Sequence, residues 1–489
     1  MLITRSFISN LGLLVGLIAF AFFIILDPAS DMSSKAWLTA GVAILMTVWW
    51  TTEAVPIYVT GILPLIIFPL LNIFSLKEIA SAYSHPLVLL FLGGFIIAAA
   101  MEACGLHKRI ALKILSFFGT SPSKIIAGFM ATTCLLSMWV SNTASTIMML
   151  PIASSVIIIF KNQNKLKEKS FAVPLLLAIA YSASIGGAAT LIGTPTNIML
   201  ASILSETYNY QISFIDWFLI GFPIVLVLIP LVWLFLSKII FKVSTKSSPD
   251  VDKTISTLYL KMGKATNAEK VVSCVFLLTA TLWISRRFLN EIFNLSLNDT
   301  SIGLLGALLL FVIPTENSKR ACDWKTANKI PWGVLLLVGG GIALSRAFKV
   351  SGLAEWIGTF SIYLNGLNIY LLILVFVLLI VFLTELNSNT ATVATFTPIL
   401  IIFAIGLEFN PIFLVIPTTI AASCAFMLPI ATPPNAVVFG SGQIKISDMI
   451  KSGAILNLVA AFIVTFMGIV ILNIVFDYGI FDLPYWAKE

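Results

Sequence analysis

The chain has 489 residues, 59% of them hydrophobic, with 29 Lys+Arg against 22 Asp+Glu. Charged residues reach 10%, where an average soluble protein carries about 25%. So few charges cannot cover a water-soluble domain of this size, which excludes a soluble enzyme, a nucleic-acid binder and a disordered chain. Mean hydropathy is +1.03, and a polytopic membrane protein remains.

A helix needs roughly 20 apolar residues to cross the hydrocarbon core. Arg5 and the apolar run Leu11–Leu26 have the outline of a signal peptide, but no small-residue cleavage site follows, so this stretch reads as an uncleaved first span. Further spans read near 36–50, 54–72, 85–104, 173–205, 215–241, 268–288, 299–314, 331–349, 411–440 and 452–477, eleven with the first at 7–26. Two more apolar segments, 122–160 and 368–407, are too long for one crossing. Polar runs interrupt them, Val140-Ser141-Asn142-Thr143 in one and Leu386-Asn387-Ser388-Asn389-Thr390 in the other. Each reads as a re-entrant hairpin of two half-crossings, a break tolerated at membrane depth only where protein or a water-filled cavity satisfies the backbone. The five cysteines lack metal or redox spacing and read as small buried hydrophobes.

Basic residues favour cytoplasmic loops. With the N-terminus inside, 22 of the 29 basic residues fall inside and 7 outside, with Arg286 and Arg287 the main ones against the rule. The expected chain is N-in and C-out, an integral multi-pass protein of the inner membrane if bacterial. It divides into a first span and outer loop (1–35), a first repeat (36–245), a cytoplasmic linker (246–267) and a second repeat (268–489).

The halves repeat. Gly93-Gly94 precedes Ser141 as Gly339-Gly340 precedes Ser388, and each pair leads to a hairpin with Ser-Asn-Thr-Ala at its tip. A Thr-Pro-X-Asn break follows inside the next span, Gly193-Thr194-Pro195-Thr196-Asn197 and Ala431-Thr432-Pro433-Pro434-Asn435. Five spans plus a hairpin per copy is an odd count, so the copies face opposite ways. Inverted repeats with paired broken helices are how many secondary transporters build a midplane site. Alone, each such feature reads as a kink or as polar glue between helices; four matched breaks do not. The fold class is thus all-α and polytopic, with about eleven transmembrane helices plus two re-entrant hairpins in an inverted repeat.

Breaking a span frees amide N–H groups at one helix start and carbonyls at another helix end. The first suit an anion, the second a small hard cation. No Arg, Lys or His lies within the four breaks. A bound anion would lack a fixed protein cation, and co-bound metal cations would supply that charge, a physical reason for symport. Ser137 precedes Ser141 by four residues and Thr384 precedes Ser388 by four, which sets paired hydroxyls on one helix face near each broken end. They can coordinate Na⁺ or bond back to their own helix; local sequence leaves both readings open.

At these residues the chain resembles the divalent anion–sodium symporter family, which includes sodium–dicarboxylate and sodium–citrate cotransporters. The most specific elements are the Ser-Asn-Thr tips, Leu383-Thr384-Glu385 and the Thr-Pro-X-Asn breaks, and the likeness covers nearly the whole chain. It implies a homodimer in lipid, with a scaffold domain and a mobile transport domain that moves like an elevator. It also implies substrate contacts from Ser141, Asn142, Thr143, Thr194, Pro195, Ser388, Asn389, Thr390, Thr432 and Pro433. One implied sodium site uses Ser137, Ser141, Asn142 and the Gly193 carbonyl. The other uses Thr384, Asn389 and the carbonyls of Asn387 and Ala431. Na⁺ would be the co-transported ion, with no organic cofactor and no nucleic-acid partner. Thr196 departs from the second proline that the second break keeps, and is expected to stiffen the first loop less.

Glu385 reads as a group that pairs with a neighbour or shapes the nearby cation site. Glu53 reads as near the cytoplasmic surface, His85 and His107 as interfacial. Leu106–Phe118 reads as an amphipathic helix on the inner surface. The leading function is Na⁺-driven import of a C4-dicarboxylate such as succinate, malate or fumarate. Alternatives are citrate or sulfate transport, sodium-independent exchange, a channel, or an intramembrane transferase, which would need a general base or metal ligands in a cavity. The absence of a Gly-x-x-x-x-Gly-Lys loop argues against ATP-driven transport.

Overall fold

The computed structural model describes residues 2–29, 31–162, 171–243, 249–316, 319–476 and 479–487. Among these the chain is helical throughout, apart from loops and one isolated bridge between Pro314 and Arg320. Lys165, Lys167, Lys169, Lys246 and Lys488, part of the basic-residue tally, lie outside the described residues.

The first half runs α1 (Leu2–Ile25), α2 (Ser34–Thr52), α3 (Pro86–Cys104), α4 (Leu106–Leu115), α5 (Pro122–Ser137), α6 (Asn142–Asn162), α7 (Ala172–Gly187), α8 (Pro195–Tyr208) and α9 (Phe214–Leu234). Helix α10 (Pro249–Lys261) leads into the second half: α11 (Asn267–Phe293), α12 (Asp299–Val312), α13 (Trp332–Ser351), α14 (Leu353–Gly358), α15 (Ile369–Thr384), α16 (Asn389–Gly406), α17 (Ile412–Ala422), α18 (Pro433–Phe439) and α19 (Ile446–Phe476). Local chemistry sets many of the boundaries. Proline occupies the first turn of α3, α5, α8 and α18, where its missing N–H costs nothing. Capping boxes open α9 (Ser213 with Asp216) and α11 (Thr266 with Glu269).

Eight of the described helices are long and apolar enough to cross a membrane, and up to nine if one bent pair counts as a span. Several expected spans resolve differently. The stretch 54–72 is two short helices, Ile57–Thr60 and Leu63–Leu70: Pro56 precedes the first, the turn at Gly61 and Ile62 separates them, and Pro64 sits in the first turn of the second. Tyr83 donates its hydroxyl to the Gly61 carbonyl at 2.6 Å, which occupies one of the freed groups. The segments 173–205 and 411–440 each split at their Thr-Pro-X-Asn break into α7/α8 and α17/α18. The hairpin arms have 16 and 21 residues in the first and 16 and 18 in the second. At 1.5 Å per residue even a 16-residue arm reaches about 24 Å.

Every residue of α7 and every residue of α17 is buried, as expected of helices apolar all round. Helix α7 packs on α5, α6 and α18, and α17 packs on α15, α16 and α8. The molecule's core is therefore the two pre-break half-helices, each wrapped by one hairpin and by the post-break helix of the other half. Around this centre α3 packs on α12, with a methyl built on Gly93 only 2.7 Å from the Gly303 carbonyl carbon.

The stretch read as an amphipathic helix over Leu106–Phe118 is helical as α4, Leu106–Leu115, and α14 holds the corresponding place after α13. Gly105 and Gly352 make both turns at φ +79° and +83°, a left-handed backbone that favours glycine. Arg109 on α4 donates to Glu269 Oε1 at 2.8 Å and to the Gly263 carbonyl at 2.9 Å, tying α4 to the turn before α11. His85 lies 3.8 Å from Glu206 Oε2. It is buried, accepts from the Leu87 amide at 3.2 Å and caps α3. Cys274 and Cys104 depart from the buried-hydrophobe reading; the first is exposed and the second half-buried. Arg286 and Arg287, the residues against the charge bias, are paired: Arg287 with Asp216 at 2.7 Å and Arg286 with Asp299 at 3.3 Å.

Candidate functional site: two tips against two breaks

Each hairpin turns on four residues, 138–141 and 385–388, and each tip meets the end of a pre-break half-helix. In the first half the Ser137 hydroxyl lies 2.5 Å from Asn142 Oδ1 and 2.6 Å from the Ala183 carbonyl, with its one proton to donate to either. In the second half the Thr384 hydroxyl stands likewise 2.6 Å from Asn389 Oδ1 and 3.0 Å from the Ala422 carbonyl. Thr133 bonds back to Phe129 on its own helix, but Ser137 and Thr384 reach across to another helix. Each brings a hydroxyl, an amide oxygen and a carbonyl into one corner.

The breaks repeat with equal fidelity. Asn197 Nδ2 donates to the carbonyls of Gly187 (3.1 Å) and Thr190 (2.8 Å), and Asn435 Nδ2 to those of Ala425 and Leu428 (both 3.0 Å). In both halves the acceptors lie ten and seven residues before the asparagine. The Asn of Thr-Pro-X-Asn is therefore a brace. It satisfies the carbonyls that the interrupted helix leaves open, in a setting where an unpaired polar group is costly.

Close approach explains the glycines at the first break. A methyl built on Gly187 would stand 2.5 Å from Asn142 Oδ1 and 3.1 Å from the Gly193 carbonyl, and one on Gly193 would strike the Gly187 carbonyl. Asn142 and the Gly193 carbonyl, both expected at the first sodium site, are thus neighbours. Ser141 Oγ accepts from the Ala144 amide at 3.2 Å and caps α6. In the second half Thr432 Oγ1 caps α18 by accepting from Asn435 N at 3.2 Å. Asn387 Oδ1 is buried with no hydrogen-bond partner among the described residues.

The remaining expected residues sit on the same tips and breaks. Asn142, Thr143, Asn389 and Thr390 form the first turns of α6 and α16, with Ser388 the N-cap of α16. Pro195 and Pro433 begin α8 and α18, with Thr194 and Thr432 as their N-caps. Thr194, Thr390, Ala431 and Thr432 are buried, whereas Pro433 is exposed. Four helix N-termini, those of α6, α8, α16 and α18, therefore carry the short polar side chains and amides of these tips and breaks.

Several supporting groups lie beyond the reach of sequence reasoning. The Ala183 and Ala422 carbonyls come from featureless apolar helices. Thr190 donates to the Met138 carbonyl at 2.5 Å. Tyr181 donates to the Phe426 carbonyl at 2.7 Å, joining the first pre-break helix to the second break. Glu385 resolves as a pairing group: its carboxylate accepts from the amides of Met427 (2.8 Å) and Leu428 (2.9 Å) and from Asn457 Nδ2 (2.7 Å).

Buried polar breaks within a bundle of membrane-length apolar helices define a multi-pass membrane protein with an internal polar site. The profile described as the sodium:sulfate symporter transmembrane region matches residues 9–476. The chain belongs to that family, a family of transporters rather than enzymes. It is 40% identical over 472 residues to a sodium-dependent dicarboxylate transporter of Staphylococcus saprophyticus, covering 93% of this chain and 90% of that one. It is 39% identical over 464 residues to a protein of the same description from Staphylococcus aureus strain USA300, covering 93% and 89%. Among solved structures, the Alcanivorax borkumensis YdaH transporter, described as having an unusual topology, superposes with a TM-score of 0.56 over 91% of this chain and 99% of that one. At 12% identity that likeness speaks for the fold alone.

Proposed function

We propose that this protein is a sodium-coupled symporter that imports a small divalent anion, a C4-dicarboxylate such as succinate, malate or fumarate. The observation that carries the reading is the paired corner. Hydroxyl, amide oxygen and carbonyl converge twice, at Ser137/Asn142/Ala183 and Thr384/Asn389/Ala422. All-oxygen corners of this kind suit a hard cation. The neighbouring helix starts and short polar side chains suit carboxylates, and sodium in the corners offsets the anion's charge.

In this reading the substrate carboxylates contact Ser141, Asn142 and Thr143 on one tip and Ser388, Asn389 and Thr390 on the other, with Thr194, Pro195, Thr432 and Pro433 lining the same pocket. One sodium takes Ser137, Ser141, Asn142 and the Gly193 carbonyl. The other takes Thr384, Asn389 and the carbonyls of Asn387 and Ala431. The Ala183 and Ala422 carbonyls join these sets as further candidates. The halves act as an inverted repeat with boundaries at 36–245 and 268–489, in a lipid-embedded homodimer whose hairpin-bearing part moves as an elevator, N-terminus inside and C-terminus outside. The relatives named as dicarboxylate transporters support the substrate class.

Purified protein in liposomes is expected to take up labelled succinate only under an inward Na⁺ gradient. Equal uptake with K⁺ or choline in place of Na⁺ overturns the coupling. Competition by sulfate but not by malate or fumarate overturns the substrate class.

A further inference from the structure

The two breaks differ at one position, Thr196 in the first and Pro434 in the second. The sequence suggests only a softer loop; the structure shows a contact. Thr196 is fully buried, and its hydroxyl lies 3.2 Å from Ser423 Oγ, 3.3 Å from Asn197 Oδ1 and 3.4 Å from Thr194 Oγ1. Ser423 is the residue on which α17 ends, and it too is buried. The preceding Ala422 gives its carbonyl to Thr384, whose hydroxyl also meets Asn389 Oδ1. A run of side-chain and backbone contacts therefore joins Thr194, at the lip of the first break, to the corner of the second half.

The relation between the halves makes this contact informative. Asn197 and Asn435 brace their breaks with identical spacing, which matches the two breaks at an offset of 238 residues. That offset carries Thr196 to Pro434; on the pre-break helices the corner carbonyls of Ala183 and Ala422 match one residue further apart, which carries Ser423 back to Ser184. Helix α8 packs on α17 as α18 packs on α7, yet one junction joins two hydroxyls, whereas in the other the position of Thr196 is Pro434 and the matching Ser184 Oγ is buried with no hydrogen-bond partner among the described residues. A packing requirement alone would be met by proline at the place of Thr196, as in the second break. A buried hydroxyl pair carries a desolvation cost that apolar side chains avoid.

A hydroxyl has one proton to donate and two lone pairs. Thr196 faces three oxygens, so it can donate to only one of Thr194, Asn197 and Ser423 at a time. A ligand that engages Thr194 changes which choice is best, and Ser423 is one of the alternatives. We propose that Thr196 and Ser423 form a positioning link between the two half-sites, one that holds the breaks in register and makes occupancy of one half felt in the other. This inference rests on the sodium–dicarboxylate reading above and deepens it, because it assigns part of the coupling between halves to one junction.

The test is succinate uptake by the full-length protein in liposomes, measured against both succinate and Na⁺ concentration. Thr196→Val removes the hydroxyl at nearly constant shape, Ser423→Ala removes its partner, and Thr196→Ser keeps the hydroxyl. Thr196→Val and Ser423→Ala are each expected to raise the half-saturating succinate concentration about fivefold, the loss of one neutral hydrogen bond. Each should also flatten the sodium dependence while the maximal rate stays within about twofold. Thr196→Ser is expected to behave as the wild type. The double variant should be no worse than the weaker single, as for two ends of one contact.

Wild-type half-saturation and sodium steepness in Thr196→Val overturn the link, and so does a double variant whose effect is the product of the singles. Should Thr196→Val fail to fold, Ser423→Ala against wild type decides the same point. A wild type without sodium-driven succinate uptake overturns the substrate reading instead. The link is then judged by the Na⁺-induced rise in thermal-unfolding midpoint: a weaker rise in Thr196→Val than in Thr196→Ser upholds it, and an equal rise overturns it.

Discussion

The corner of the first half is built from neutral groups, whereas that of the second half has a carboxylate behind it. Behind the first tip, Thr190 donates to the Met138 carbonyl. The residue matching Met138 is Glu385, which takes the amides of Met427 and Leu428 and the side chain of Asn457. The front of each corner is the same: a hydroxyl, an amide oxygen and a carbonyl at nearly equal distances. What differs is how the break loop is pinned from behind. The oxygen set is thus the common requirement, and the support varies with the amides and carbonyls each loop leaves to be satisfied.

This comparison can be broken or sharpened by mutation. The largest effect is expected from Asn142→Ala and Asn389→Ala, each lowering sodium-driven succinate uptake at least about a hundredfold while the protein still elutes as folded. A hundredfold corresponds to about 2.7 kcal/mol, within reach of a lost buried amide at a site that binds charge. Near-normal uptake in one variant would show that the corners are not equivalent.

Next comes Glu385→Ala, which leaves two amide N–H groups and the Asn457 side chain without their acceptor. At about 1–3 kcal/mol per orphaned group, it is expected to lower the thermal-unfolding midpoint in detergent much more than Met138→Ala, whose backbone carbonyl remains. Equal losses would erase the difference between the two supports. Asn197→Ala and Asn435→Ala should cost alike, about 1–3 kcal/mol each, since each strips a donor from two buried carbonyls; unequal midpoints would show that one break is held by other means. The smallest effect is expected for Gly105→Ala and Gly352→Ala, about 1 kcal/mol each from the left-handed turn. No heavy atom lies within 4 Å of a methyl built on Gly105, so backbone strain is the whole cost there.

What could be read along the chain was the set of interruptions. Ser141-Asn142-Thr143, Ser388-Asn389-Thr390 and the two Thr-Pro-X-Asn motifs stand out because polar residues are rare in such apolar surroundings, and the structure brings each tip to a break. The partners of those groups were not legible. Ala183 and Ala422 contribute backbone carbonyls, which no side chain advertises, and Tyr181 meets Phe426 across 245 residues. The role of Glu385 was half legible: its depth marked it as paired, but its acceptors' donors come from a loop and a helix far along the chain. Length alone misled at 54–72, where a turn divides an apolar run into two short helices. The partners of His85 are local and distant at once: it caps the helix that Pro86 begins and lies 3.8 Å from Glu206.

The ion pairs of Arg286 and Arg287 carry a consequence for biosynthesis. Asp216 is made first, and within α9 it is already satisfied by the Ser213 hydroxyl and amide at 2.6 and 3.0 Å. Helix α11 follows as one of the two least apolar of the eight membrane-length helices, with two adjacent arginines in its last third. Arg287 finds an acid already in place, and Arg286 receives one with the next helix, whose Asp299 also accepts from the Phe214 amide at 2.8 Å. Emergence from the ribosome thus delivers acid, base and acid in turn, so a marginal segment need not be inserted on its own hydrophobicity but can be retained by a counter-charge that preceded it.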